Sequence, residues 1–239
     1  MDLRVVSIGT LSAHPLWNER GAVRTGHATS TLIRAGESVI LVDPGLPGPA
    51  IAARLAERAG ITPAQITHVF CTSFRPDVRR GIDAFTDATW LIGERERETV
   101  GVPMAQGLAR LAETEQASRD TGEDLHEDQQ TMREVLERDI AILARCQASP
   151  DELAPGVSLF PLPGVTPGLC GLLVSEPTRT TLVCGDAIPT VEHLEAGRVP
   201  NDADDAQLAQ ESFAEAIEIG DVLVLGRDNA VANTVRRGF

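Results

Sequence analysis

Few side chains in this sequence could do chemistry, and their types limit what that chemistry can be. There are five histidines, His14, His27, His68, His126 and His193, and four cysteines, Cys71, Cys146, Cys170 and Cys184. No two cysteines have the close spacing of a zinc knuckle or a redox pair. Ser73 and Cys71 fall in one short run, Cys71-Thr72-Ser73-Phe74-Arg75-Pro76-Asp77-Val78. A serine nucleophile needs an adjoining general base, and no histidine stands beside Ser73. Cys71 and Cys184 stand at expected strand ends, where a small apolar residue packs. Every one of the 21 basic residues is arginine, and tyrosine is absent. That excludes a P-loop lysine, a Schiff base and a pyridoxal enzyme. A net charge of −14 with only 3% aromatic residues argues against nucleic acid as a partner.

The elements that must position these residues alternate in an α/β manner. Apolar runs predict strands at Leu3–Leu11, Ala28–Arg34, Val39–Val42, Thr67–Cys71 and Thr89–Ile92. Ala50–Ala59 reads as a helix stopped by Gly60. From about Glu94 to Cys146 the chain turns acidic and helical, with a break expected near Thr121-Gly122. There Met132, Val135, Leu136, Ile140 and Leu143 recur at helical spacing and predict one buried stripe under a solvated acidic face. Strands resume at Val157–Leu162, Cys170–Ser175, Thr181–Cys184 and Val222–Leu225, with helices at Val191–Ala196 and Asp205–Ile219. No repeat or long linker divides the chain, so residues 1–239 are expected to form one domain. No apolar run approaches the roughly 18 residues that span a bilayer. The first nine residues read as a strand without the basic start of an export signal. A reduced, cytoplasmic protein is the expectation.

Five segments in order resemble the metallo-β-lactamase superfamily. Thr29–Ile33 followed by Val39–Leu46 is similar to its second and third strands with an Asp-x-Gly turn. Gly60–Val69 resembles the helix-to-strand passage before its signature loop. Pro163-Gly164-Val165-Thr166-Pro167-Gly168 resembles its "PGHTPG" turn, and Gly185-Asp186-Ala187 its "GDA" turn. Leu225-Gly226-Arg227-Asp228-Asn229 stands where the family has a terminal "PGHD". The resemblance implies a four-layer αβ/βα sandwich, two mixed β-sheets face to face with helices outside. It also implies a dinuclear metal site for hydrolysis of esters, thioesters, lactams or phosphoesters.

The ligand set does not carry over. The family loop T-H-x-H-x-D-H reads Thr72-Ser73-Phe74-Arg75-Pro76-Asp77-Val78 here. Its three histidines are replaced by Ser73, Arg75 and Val78, and only Asp77 remains. The histidine of the "PGHTPG" turn is Val165, the last histidine is Arg227, and the bridging aspartate survives as Asp186. Valine has no donor atom, and a guanidinium cannot coordinate a cation. A zinc site needs about four donors, so the expectation is no metal and no cofactor. Two aspartates face two arginines, and a buried carboxylate needs a partner. Arg75 or Arg227 should therefore pair with Asp77 or Asp186, with Val78 and Val165 packed nearby.

These readings predict a metal-free pseudoenzyme, serving as a binding or structural module for an unidentified small-molecule or protein partner. They leave any catalytic residue unidentified and predict no nucleic acid and no membrane. Two alternatives stay open. One is a hydrolase with an atypical metal set drawn from His27, His193, Asp77 and Asp186, since His27 and His193 border the family's pocket. The other is a metal-independent anion pocket lined by Arg75, Arg79, Arg80 and Arg227. His14 falls in a loop beside Trp17, His68 on a strand and His126 on the acidic helix.

Overall fold

The computed structural model describes residues 1–121 and 127–235. Among these described residues, twelve strands form two mixed six-stranded sheets. The first comprises β1 (Asp2–Ser7), β2 (Ser30–Ala35), β3 (Ser38–Val42), β4 (His68–Cys71), β5 (Thr89–Ile92) and β6 (Gln147–Ala148), in that spatial order. The pairs β1/β2 and β2/β3 are antiparallel, and β3 to β6 run parallel. The second sheet is ordered β12 (Ala230–Ala232), β11 (Val222–Leu225), β10 (Arg179–Gly185), β9 (Cys170–Glu176), β8 (Val157–Pro161), β7 (Glu152–Ala154). In it only β10 and β11 are parallel.

Side-chain alternation sorts the core into three layers. On β3, Ile40 and Val42 point into the space between the sheets, while Leu41 faces the other way. On β4, Phe70 faces inward between Val69 and Cys71, and Leu91 does the same on β5. Leu172, Val174, Val183 and Val224 meet them from the second sheet. The outer face of the first sheet is covered by α1 (Gly48–Ala59), through Ile51 and Leu55, and by the end of α3 (Glu127–Arg145). The outer face of the second is covered by α4 (Val191–Ala196) and α5 (Ala206–Ile219), through Leu194, Ala209, Phe213 and Ala216. The result is the four-layer αβ/βα sandwich.

Several boundaries move. The first strand stops at Ser7 rather than Leu11, because the chain leaves the sheet through a register shift after Val5. The short strands β6, β7 and β12 carry too few residues to show a period, and no run predicted them. The acidic stretch divides into α2 (Glu94–Thr121) and α3. The expected stripe on α3 is only partly buried. Leu143 is in the core, but Met132 and Val135 are 54% and 50% exposed. Only the last turns of α3 lie over the first sheet, with Ile142, Leu143 and Cys146 in the core. His126 lies outside the described residues.

Candidate functional site

The expected site residues follow strand ends, so the sheets decide whether they meet. Asp186 follows β10 and Arg227 follows β11, which are parallel neighbours, so both emerge at one sheet edge. Asp77 lies in the loop after β4 of the other sheet. Residues 28 and 29, ahead of β2, link the two loops: the Thr29 amide donates across to the Gly226 carbonyl of the second sheet at 2.8 Å, and the Ala28 amide to the Asp77 carbonyl of the first at 3.0 Å.

The loop is held by two buried carboxylates. Asp43 accepts from the amide and the hydroxyl of Thr72, each at 2.8 Å. It sits in the left-handed region at φ 53°, which aspartate tolerates better than most residues. Burial pushes its carboxyl up to about 7, with the Thr72 hydrogen bonds opposing. Glu96, in the first turn of α2, accepts from the Phe74 amide at 2.9 Å, the Thr166 hydroxyl at 2.7 Å and the Gly168 amide at 3.1 Å. It thereby ties the 72–78 loop to the 163–168 turn. That turn lies tight against two helices. A Cβ on Gly168 would stand 2.0 Å from the Glu96 nitrogen, and one on Gly164 (φ 125°) 2.1 Å from the Ala209 nitrogen. Sequence reading did not single out Glu96. Its only sequence signal is an acid at a helix start, which many surface helices share.

Arg227 closes the centre. Its Nε donates to Oδ1 of Asp186 at 2.7 Å and its Nη2 to Oδ2 at 2.6 Å, while Nη1 donates to Oδ2 of Asp77. The guanidinium and the Asp186 carboxylate are buried, and Asp77 is half-buried. Burial would raise the Asp186 carboxyl, but Arg227 and then Arg75 hold it below its ordinary value. Arg75 is the looser partner, with Nη1 3.6 Å from Asp186 and Nη2 3.1 Å from the exposed Asp202. Val78 and Val165 are buried, in the first-sheet and second-sheet outer clusters respectively. Ser73 is fully buried and its hydroxyl has no partner among the described residues, and burial keeps any substrate from it as a nucleophile.

A dinuclear metal site does not fit this donor set. The positions that would supply imidazoles hold Ser73, Arg75, Val78, Val165 and Arg227, and both oxygens of Asp186 already accept from Arg227. Among the described residues, no group of three His, Cys, Asp or Glu side chains is placed to hold an ion.

A cavity of about 310 Å³ opens over the pair. Arg75, Asp77, Asp186, His193, Asp202 and Arg227 are among its lining. His27 is not. It lines a separate cavity beside β1 and α1, and its Nε2 is 3.2 Å from the Ile8 carbonyl. The atypical set of His27, His193, Asp77 and Asp186 is therefore not assembled: the other three line the first cavity and His27 lines the second. The arginine mouth is not assembled either. Arg79 is buried, donating to the Phe74 carbonyl and pairing with Asp139 of α3 at 2.7 Å. Arg80 donates to the Gly26 carbonyl. Behind His193 lies a polar cluster that sequence reading did not join. Thr190 Oγ1 is 2.9 Å from His193 Nδ1 and 3.1 Å from His14 Nε2, and His14 stacks on Trp17 at 4.2 Å.

Comparison with known proteins extends this geometry. The fold is shared with a candidate metallo-beta-lactamase of Thermotoga maritima (TM-score 0.64, 16% identity, 97% of this chain and 98% of that one). It is shared also with AidC, a dizinc quorum-quenching lactonase (TM-score 0.57, 17% identity, 80% and 67%). A third similar structure is the hydrolase AbOPH of the beta-lactamase superfamily (TM-score 0.60, 20% identity, 83% and 71%). No curated protein sequence matches the chain. Residues 23–226 match the sequence profile of one family, and so the chain belongs to the metallo-beta-lactamase superfamily.

Proposed function

We propose that this chain is a metal-free pseudoenzyme of the superfamily, keeping the scaffold as a binding module. The observation that carries the reading is the forked contact of Arg227 with Asp186 and its further bond to Asp77. A cation of the protein's own stands where two carboxylates would face metal ions. Such a replacement answers the main physical demand of a vacated site, since an unpaired buried carboxylate is costly. The solved relatives named for lactone or other hydrolysis share the fold, and AidC is named as dizinc, whereas the two aspartates here already pair with Arg227. The two alternatives lose support from placement. His27 is in another cavity, and Arg75, Arg79 and Arg227 all have carboxylate partners. The four free, buried cysteines suit a reducing, cytoplasmic setting. No described helix is long and apolar enough to cross a membrane.

The test is elemental analysis of protein purified without chelator, beside a zinc-bearing relative. Clearly substoichiometric zinc, iron and manganese are expected, and chelator should leave the melting temperature unchanged. One tightly held ion per chain, with a chelator-induced loss of stability, would overturn the reading.

A further inference from the structure

Away from the ion pair, the first sheet ends on an unpaired strand. β1 is outermost in its sheet, and among the described residues its backbone hydrogen bonds go only to β2. An edge strand turns a row of amides and carbonyls outward, ready to pair with another chain. A cavity of about 410 Å³ runs along this edge, and Val5, Val6, Ser7 and the following Ile8 all line it. Neighbouring residues of a strand point to opposite faces. A wall that takes four in succession therefore follows the backbone edge rather than either face. Ile8 adds an apolar side chain that is 49% exposed. A register shift between Val5 and Ser7 interrupts the edge, which limits a partner to a short segment.

The charge beside this edge is opposite to that of the molecule. Arg54 and Arg58, one turn apart on α1, line the cavity, and among the described residues its wall has no carboxylate. Arg54 meets Glu57 in an exposed pair, of a kind that holds weakly. Among the described residues Arg58 has no carboxylate partner. Just beyond, Arg4 donates to the Arg58 carbonyl at 2.7 Å and Arg34 to the Ala59 carbonyl at 3.2 Å, with Asp2 as their shared acid. In a chain of net charge −14 this is a cationic strip. A second copy pairing through β1 would bring two such strips together, whereas an acidic segment meets the strip with opposite sign. The spacing fits as well. Four residues of helix rise about 6 Å, and two residues of strand span about 6.7 Å. Carboxylates at alternate positions of an added strand thus repeat at nearly the spacing of Arg54 and Arg58.

We propose that β1 takes up a short acidic segment of another protein as an added strand, with carboxylates two residues apart meeting Arg54 and Arg58. Backbone pairing along residues 5–8 supplies the affinity, and the two arginines select the sequence. A small anion would use the arginines and leave the strand edge unpaired, so the extended segment matches more of the wall. This face is separate from the Arg227 centre, and the inference does not depend on whether that centre holds metal.

The experiment is calorimetric titration of the full chain with two capped peptides of about eight residues, in which valine alternates with glutamate or with lysine. Saturable binding of the glutamate peptide alone is expected, weakening as salt is raised. Arg54→Ala and Arg58→Ala should each weaken it about two- to fivefold, the range for one exposed ion pair. Both side chains are exposed, so these variants should fold. Hydrogen exchange should show the amides of residues 5–8 protected by the glutamate peptide. Two further glutamate peptides carry N-methyl groups at alternate backbone amides. One should lose binding and the other keep it, because only one set of amides faces β1. Equal binding of the lysine peptide, glutarate binding as tightly as the glutamate peptide, no binding of either peptide, or unchanged exchange at residues 5–8 would overturn the inference. So would a dimer in light scattering whose β1 amides are already protected, since a second copy would then hold the edge.

Discussion

Arg227 binds two carboxylates at once through three hydrogen bonds. Arg227→Ala would leave Asp186 ionised and buried with only Arg75, 3.6 Å away, for company. Breaking one side of such a pair costs about 3–5 kcal/mol. Replacing both members, as Arg227→Met with Asp186→Leu, should cost much less, because no charge is stranded. Chemical denaturation of the single and double variants measures the difference; equal losses would contradict it. The penalty should also shrink as pH falls. Without the guanidinium, burial is opposed chiefly by the more distant Arg75, and protonation then relieves the stranded charge. Arg75 had an equal claim from sequence, but it is 27% exposed and reaches Asp186 at long range. Arg75→Ala should change stability by under about 1 kcal/mol. Asp43 gives a pH dependence of the opposite kind to Asp186. Its carboxyl rises from 3.8 unfolded to about 7 folded. The folded state therefore holds the extra proton, and this contribution is full below pH 3.8 and lost as pH rises through about 7. Asp186, lowered in the folded state, contributes above its unfolded value and is lost only in acid. Asp43→Asn should remove the decline in stability between pH 3.8 and about 7, followed by denaturation at each pH.

At the scale of elements, the site is built where turns let helices come close. The 163–168 turn carries Val165 in place of a ligand, yet its glycines still serve packing. Gly168→Ala would drive a methyl into the backbone at the start of α2, 2.0 Å from the Glu96 nitrogen. Backbone cannot yield as a side chain can, so a loss of about 1–3 kcal/mol or more is expected from thermal or chemical unfolding. Glu96→Ala should cost about as much for another reason: it orphans the buried amides of Phe74 and Gly168 together. The α3 helix separates two kinds of apolar residue that its sequence makes look alike. Leu143→Ala should cost about 2–5 kcal/mol. Met132→Gln with Val135→Gln should stay within about 0.5 kcal/mol each, because both side chains are half exposed. A large loss from the second pair would mean that the outer face of α3 is covered in solution.

The whole molecule sets a test that no part could pose. If the two sheets still hold the strand ends in ancestral register, metal binding should be recoverable. Restoring histidine at positions 73, 75, 78, 165 and 227 should give near-stoichiometric zinc and a chelator-sensitive melting temperature. Failure of the folded variant to take up metal would show that the edge has drifted, not merely lost its ligands. The sequence by itself determined much of this protein. Apolar runs marked most of the long strands, since a strand buried on both faces needs apolar side chains on each. Five turn segments in order marked the scaffold, and the side chains at the ligand positions marked the loss of imidazoles, because donor chemistry belongs to the residue type. What only the tertiary structure decided is who meets whom. Arg227 and its partners lie 41 and 150 residues apart in the chain, and nothing local ranks Arg227 above Arg75. The same holds for Glu96, which looks like an ordinary helix-start acid until two distant loops close on it, and for His27, which a turn of the chain sends to another cavity. Such choices fall to the packing of one sheet on the other: a charged side chain is selected by the partners and the burial it finds at a shared edge, and those are properties of the folded surface rather than of spacing along the chain.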